Sequence, residues 1–151
     1  MKLKYAVKIG LLGVVSMFSA SSFATESLAL QTVKQMYDLA KRYEKGMEVV
    51  SLFADESLTQ AFNRQSFDEG ICGYDYDLLW QSQDPEYQRK INFTAVGFNQ
   101  VRVDLGKGEW HKASSVGYKM NCQNGTCKVN DVIDEFGSLK ARIYAQCKAN
   151  H

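Results

Sequence analysis

Apolar residues recur at three- and four-residue steps near the start of the chain: Leu30, Val33, Met36, Tyr37, Ala40, Tyr43, Met47 and Val50. That spacing makes one stripe and predicts a helix over 25–50, with Lys34, Asp38, Lys41, Lys45 and Glu48 solvated beside it. Gly46 weakens the helix near its end. A shorter helix is expected over 51–65, capped by Ser57 and burying Leu58, Ala61 and Phe62, with Phe67 as an anchor behind it. Past residue 90 the period changes to two. Ile91, Phe93, Ala95, Val101, Val103 and Leu105 share parity, which predicts one long strand over 90–105, bulged or bent at 97–100. After a glycine turn at 106–108, Trp110, Val116, Tyr118, Met120 and Cys122 share a face, together with Lys112 and Ser114. A last helix is expected over 139–148, capped by Ser138, with Leu139, Ile143, Tyr144 and Cys147 inward.

The strongest local signal is Asn124-Gly125 between two patterned runs. Both residues accept φ > 0, so a two-residue hairpin turn is predicted with Cys122 opposite Cys127. The pairing places Cys127, Val129, Asp131 and Ile133 on the face of Met120. Asp131 is then an acid among apolar neighbours, a candidate base or ligand anchor with its pKa raised by desolvation. The plainer reading is an aspartate near a strand end that caps a neighbouring backbone group. Tyr37, Tyr43 and Tyr118 are the candidate pocket residues around it.

The stretch 68–86 differs in kind. It carries six carboxylates, no Lys or Arg, Tyr74, Tyr76, Leu78, Leu79 and Trp80, and the single proline, Pro85. Acidic and aromatic residues in a long loop are contact material, so Tyr74, Asp75, Tyr76, Asp77 and Trp80 are the candidate partner-binding set. The alternative is a loop packed down by its aromatics.

Composition narrows the setting. Lys2, Lys4 and Lys8, the apolar run 9–18 and Ser22-Phe23-Ala24 read as a secretory signal peptide over 1–24, too short for a membrane span. The remainder, 25–151, is long enough for one domain. Cleavage would leave 15 basic and 17 acidic residues, a net charge of −2. That carries no footprint for nucleic acid or for an anionic membrane surface. The four cysteines, Cys72, Cys122, Cys127 and Cys147, all lie after the leader. An even count in an oxidising compartment, here a periplasm, argues for disulfides. The hairpin favours Cys122–Cys127 and leaves Cys72–Cys147. A zinc site is the rival for these cysteines, but no His lies near the hairpin pair.

Chemistry is otherwise sparse. His151 is terminal, and strand alternation points His111 to solvent, so no Ser-His-Asp or Cys-His set is indicated. There is no phosphate-binding glycine loop and no HExxH. Asp75-Tyr76-Asp77 lacks the glycine and terminal glutamate of a calcium loop. No catalytic residue, metal or cofactor is assigned.

The runs Ser57-Leu58-Thr59-Gln60-Ala61-Phe62, Asp75-Tyr76-Asp77-Leu78-Leu79 with Gln81-Ser82-Gln83-Asp84, and Lys128-Val129-Asn130-Asp131-Val132-Ile133-Asp134 with Gly137-Ser138-Leu139 are similar to an uncharacterised bacterial envelope-protein family. That family has the nuclear-transport-factor-two-like, or cystatin-like, fold. The resemblance implies an α+β domain with helices packed on a curved, cone-shaped antiparallel sheet; no catalytic residue carries over. The sequence therefore leads to the expectation of a periplasmic, non-catalytic binding or inhibitor domain with a protein partner, such as an envelope enzyme or a secreted toxin that it neutralises as an immunity protein. The second expectation is a small-molecule-binding or hydrolase/isomerase cone that uses a buried acid.

Overall fold

The computed structural model describes residues 26–65 and 72–147. The expected signal peptide, Phe67, Asp68, Glu69 and the end of the predicted last helix lie outside them. The chain is an α+β domain. Helices α1 (Leu28–Tyr43), α2 (Gly46–Phe53) and α3 (Glu56–Phe62) come first. Strands β1 (Ile91–Gly97), β2 (Gln100–Leu105), β3 (Ser114–Gln123), β4 (Thr126–Asp134) and β5 (Gly137–Ser138) follow, then α4 (Leu139–Gln146). The strands form one antiparallel sheet in chain order.

The expected first helix is two helices. Glu44 ends α1 in the left-handed region (φ 52°), and its N–H donates to the Ala40 carbonyl. The reason for the restart at Gly46 lies thirty-one residues away: the Asp77 carboxylate accepts the Gly46 N–H at 2.9 Å. A Cβ on Gly46 would overlap that carboxylate, so only glycine admits it. The next helix is capped by Asp55, which accepts the Leu58 N–H at 2.9 Å. Ser57, the expected cap, instead donates to Asp55 Oδ1. Ser138 caps α4 through the Ala141 N–H, as its position suggested.

Residues 90–105 form a hairpin, not a single bent strand, because Asn99 adopts φ 53° and lets Gly97 pair with Gln100. The parity survives, since Phe93 pairs with Val103 and Ala95 with Val101. At the Asn124-Gly125 turn both φ angles are positive (50° and 76°), and Cys122 pairs with Cys127. Disulfides join Cys122 to Cys127 and Cys72 to Cys147.

One expectation about faces fails. The β3–β4 register shifts between Lys119 and Met120, which pair with Asp131 and Val129, so Asn130 is an extra residue. Cys127 and Val129 face inward before this bulge, and Val132 opposite Tyr118 faces inward after it. Asp131 and Ile133 therefore leave the apolar face.

Helix α1 packs across the four long strands. Val33, Met36, Tyr37 and Ala40 meet Val101, Val103, Leu105, Val116, Tyr118, Val129 and Val132. The other sheet face, with Gln100, Arg102, Ser115 and Lys119, is exposed.

Candidate functional site

The connection between α3 and β1 is packed down by its own aromatics. Leu78, Leu79 and Trp80 have no exposed surface. Trp80 meets Tyr37 and Tyr87 edge-on, at 5.6 and 5.4 Å between ring centres. Tyr74 is buried against Phe62 and Tyr76, and burial pushes its pKa up to about 12. Of the five expected partner-binding residues, Trp80, Tyr74 and Asp77 are thus withdrawn into the fold. Asp75 is exposed and accepts Gln83 Nε2 at 2.7 Å, and Tyr76 is half-buried.

Asp77 is buried and its pKa is raised by desolvation, against which the N–H donors of Trp80, Leu79 and Gly46 work. It ties the loop to the start of α2. Tyr76 serves a second tie. Its hydroxyl donates to Asp134, which also accepts Arg142 Nη1 at 3.0 Å and Nη2 at 2.7 Å and the Phe136 N–H. Desolvation pushes Asp134 up, but Arg142, Tyr76 and the Phe136 amide outweigh it and hold its pKa below the ordinary range.

Of the expected pocket residues, only Tyr37 and Tyr118 meet. Tyr37 and Tyr118 are buried, and their hydroxyls lie 3.0 Å apart. Tyr37 also donates to the Leu79 carbonyl at 2.8 Å. Burial raises the pKa of both phenols. Tyr43, on the last turn of α1, is exposed. Asp131 lies on the opposite sheet face at the β4 edge. It is buried there, and Ser138 Oγ and the Lys140 N–H donate to its carboxylate at 2.6 and 3.0 Å. It supports the start of α4.

Two groups had no sequence signal. Arg89 is buried and donates to five oxygens: the carbonyls of Trp80, Leu105, Gly106 and Lys112, and Ser114 Oγ. It clamps the loop to the end of the sheet where β2 passes to β3. Beside it, Ser82, His111 and Glu86 come together. His111 precedes β3 instead of lying within it, so strand alternation does not apply to it, and Trp110 next to it is exposed. Ser82 Oγ lies 2.6 Å from His111 Nε2. His111 Nδ1 lies 3.0 Å from Glu86 Oε2, though the N–H points off the line between them, so this contact is electrostatic. Glu86 Oε1 accepts the Trp110 N–H at 2.8 Å. Desolvation pushes the Glu86 pKa up, but the Trp110 amide, His111 and the Glu109 amide hold it below the ordinary value.

The exposed sheet face carries a groove of about 630 Å³, lined by Val96, Gln100, Arg102, Gly117, Lys119 and Ile133 among others. Its floor is low at Gly117, which lacks a side chain between Arg102 and Ile133. Phe98, at the tip of the β1–β2 hairpin, is 92% exposed, and Val96 is 52% exposed. No group of three or more His, Cys, Asp or Glu side chains among the described residues is placed to hold a metal ion.

Fold and disulfides together define a small disulfide-stapled α+β domain. No helix among the described residues is long and apolar enough to cross a membrane, and two disulfides fit a protein outside the cytoplasm. No family model, curated protein or solved structure matches the chain.

Proposed function

We propose that the chain is a periplasmic binding or inhibitor domain that acts on a protein partner, with neutralisation of a secreted toxin as its narrower form. The observation that carries this reading is the uncovered sheet face with Val96 and Phe98 at its margin. An exposed phenylalanine and valine beside an open groove lined by Lys119 and Arg102 offer apolar anchors next to polar contacts, the two ingredients of an interface. The staples favour it too, since a rigid scaffold loses little conformational freedom on binding. The order of three helices and then an antiparallel meander supports the cone-shaped, nuclear-transport-factor-two-like reading of the fold. The binding surface proposed here is therefore the outer sheet face and not the acidic loop.

The test is chemical crosslinking of the secreted protein in envelope extract, followed by purification and mass spectrometry. Phe98→Asp and Lys119→Glu are expected to abolish a single major crosslinked partner that Asp75→Asn retains. A partner captured equally by all variants would overturn the placement. No partner at any concentration would overturn the reading.

A further inference from the structure

Two loops meet beside the Arg89 clamp, 81–86 and 106–111. Between them they assemble three groups in the order that nucleophilic hydrolysis requires. Glu86 is held in a cradle. A Cβ on Gly108 would overlap its carboxylate, and the Trp110 amide donates to it. The Gly108 N–H in turn donates to the His111 carbonyl at 2.9 Å, which closes the loop around the acid. The carboxylate lies beside Nδ1 of His111 and, by its charge and not by a hydrogen bond, favours the tautomer with its proton there, which leaves Nε2 as the acceptor. Nε2 faces Ser82 Oγ at 2.6 Å, shorter than the 3.1 Å from that oxygen to the competing Asp84 carbonyl. The Asp84 N–H donates to Ser82 Oγ at 3.0 Å, so the oxygen is oriented before any substrate arrives. Gln81, just before it, holds φ 54°, a left-handed conformation that turns the chain sharply ahead of the serine. Neither Ser82 nor His111 is fully buried, and the ring of Trp110, next to His111 in the chain, is 79% exposed.

We propose that Ser82, His111 and Glu86 form a nucleophile–base–orienting set that hydrolyses carboxylic esters. Ser82 Oγ bonds to the ester carbonyl carbon as its proton passes to His111 Nε2. The C–O bond to the alcohol then breaks, and the departing oxygen takes that proton. Water attacks the acyl-serine, gives its proton to Nε2, and releases the acid as Ser82 regains its hydrogen. Glu86 is a positioning residue that acts through His111. The Gln83 N–H directly after the nucleophile has no acceptor among the described residues and is the candidate oxyanion donor. This goes beyond binding: the set lies in the loops at one end of the sheet, so loss of either property leaves the other standing.

The experiment treats the disulfide-bonded protein with a fluorophosphonate probe and with p-nitrophenyl acetate. One phosphonyl adduct that maps to Ser82 is expected. Ser82→Ala should lose the adduct, and His111→Ala should slow both reactions about 100-fold or more. Glu86→Gln should shift the pH of half-maximal rate, which a purely structural glutamate would not do. Because Ser82→Ala also removes a turn hydrogen bond, Ser82→Cys is a second probe: its thiol should react with iodoacetamide at least about tenfold faster than it does with His111→Ala added. An unmodified wild type, an adduct elsewhere, or a Ser82→Cys rate indifferent to His111 would each overturn the assignment.

Discussion

Removing the two disulfides one at a time should cost very different amounts, and the reason lies in chain separation. Cys72–Cys147 joins residues 75 apart, and Cys122–Cys127 joins residues 5 apart. The chain-entropy model gives about 4 kcal/mol for the long closure and about 2 kcal/mol for the short one. Packing does not blur the comparison. In each pair one cysteine is buried (Cys147, Cys127) and the other is half-buried (Cys72, Cys122), so replacement by alanine leaves similar voids. The short bridge also sits on a turn whose Asn-Gly pair already favours closure, which lowers its contribution further. Against a total stability of about 5–15 kcal/mol, the long bridge is a large share. Urea unfolding followed by far-UV circular dichroism would measure this on Cys72→Ala/Cys147→Ala and on Cys122→Ala/Cys127→Ala. The first is expected to lose about 2 kcal/mol more than the second, with a larger m-value from a more expanded unfolded state. Equal losses, or a greater loss for the hairpin pair, would refute the idea that the long bridge acts by restraining the unfolded chain.

Gly46→Ala should drive the Asp77 carboxylate from three backbone donors and lower stability by about 2–4 kcal/mol in denaturant titration; a change under about 0.5 kcal/mol would show that the loop relaxes freely. Arg89→Met should cost about 3 kcal/mol, because several buried carbonyls lose their donor, and Arg89→Lys should recover little, since an ammonium cannot span that fork; full recovery by lysine would mean that charge alone matters. The two buried aspartates should oppose each other in acid. Asp134 has a depressed folded pKa, so its contribution is present above the ordinary value of about 4 and is lost as pH falls through the folded value. Asp77 has a raised folded pKa, so its contribution grows as pH falls. In urea midpoints measured from pH 2 to 6, Asp134→Asn should flatten the acid limb and Asp77→Asn should steepen it; the reverse order would overturn both assignments.

What this chain determined by sequence alone was local. Asn124-Gly125 sets its own turn because both residues accept positive φ, and with it come the cysteine pairing and the register of β3 on β4 near the tip. The parity of β1 and β2 was legible because alternation holds on both sides of a hairpin, whether or not the turn is seen. Tertiary structure decided the rest. The bulge at Asn130 turned Asp131 and Ile133 off the apolar face, and no periodicity carries an inserted residue. Asp77 divided the first helix, since a carboxylate from a distant loop entered at the one residue without a side chain. Trp80 went inward because α1 and Tyr87 left it an apolar slot. Ser82, Glu86 and His111 met because Arg89 ties their two loops to one sheet end. Each of these depends on groups far apart in the chain, and their proximity follows from packing the whole domain, which no local propensity encodes.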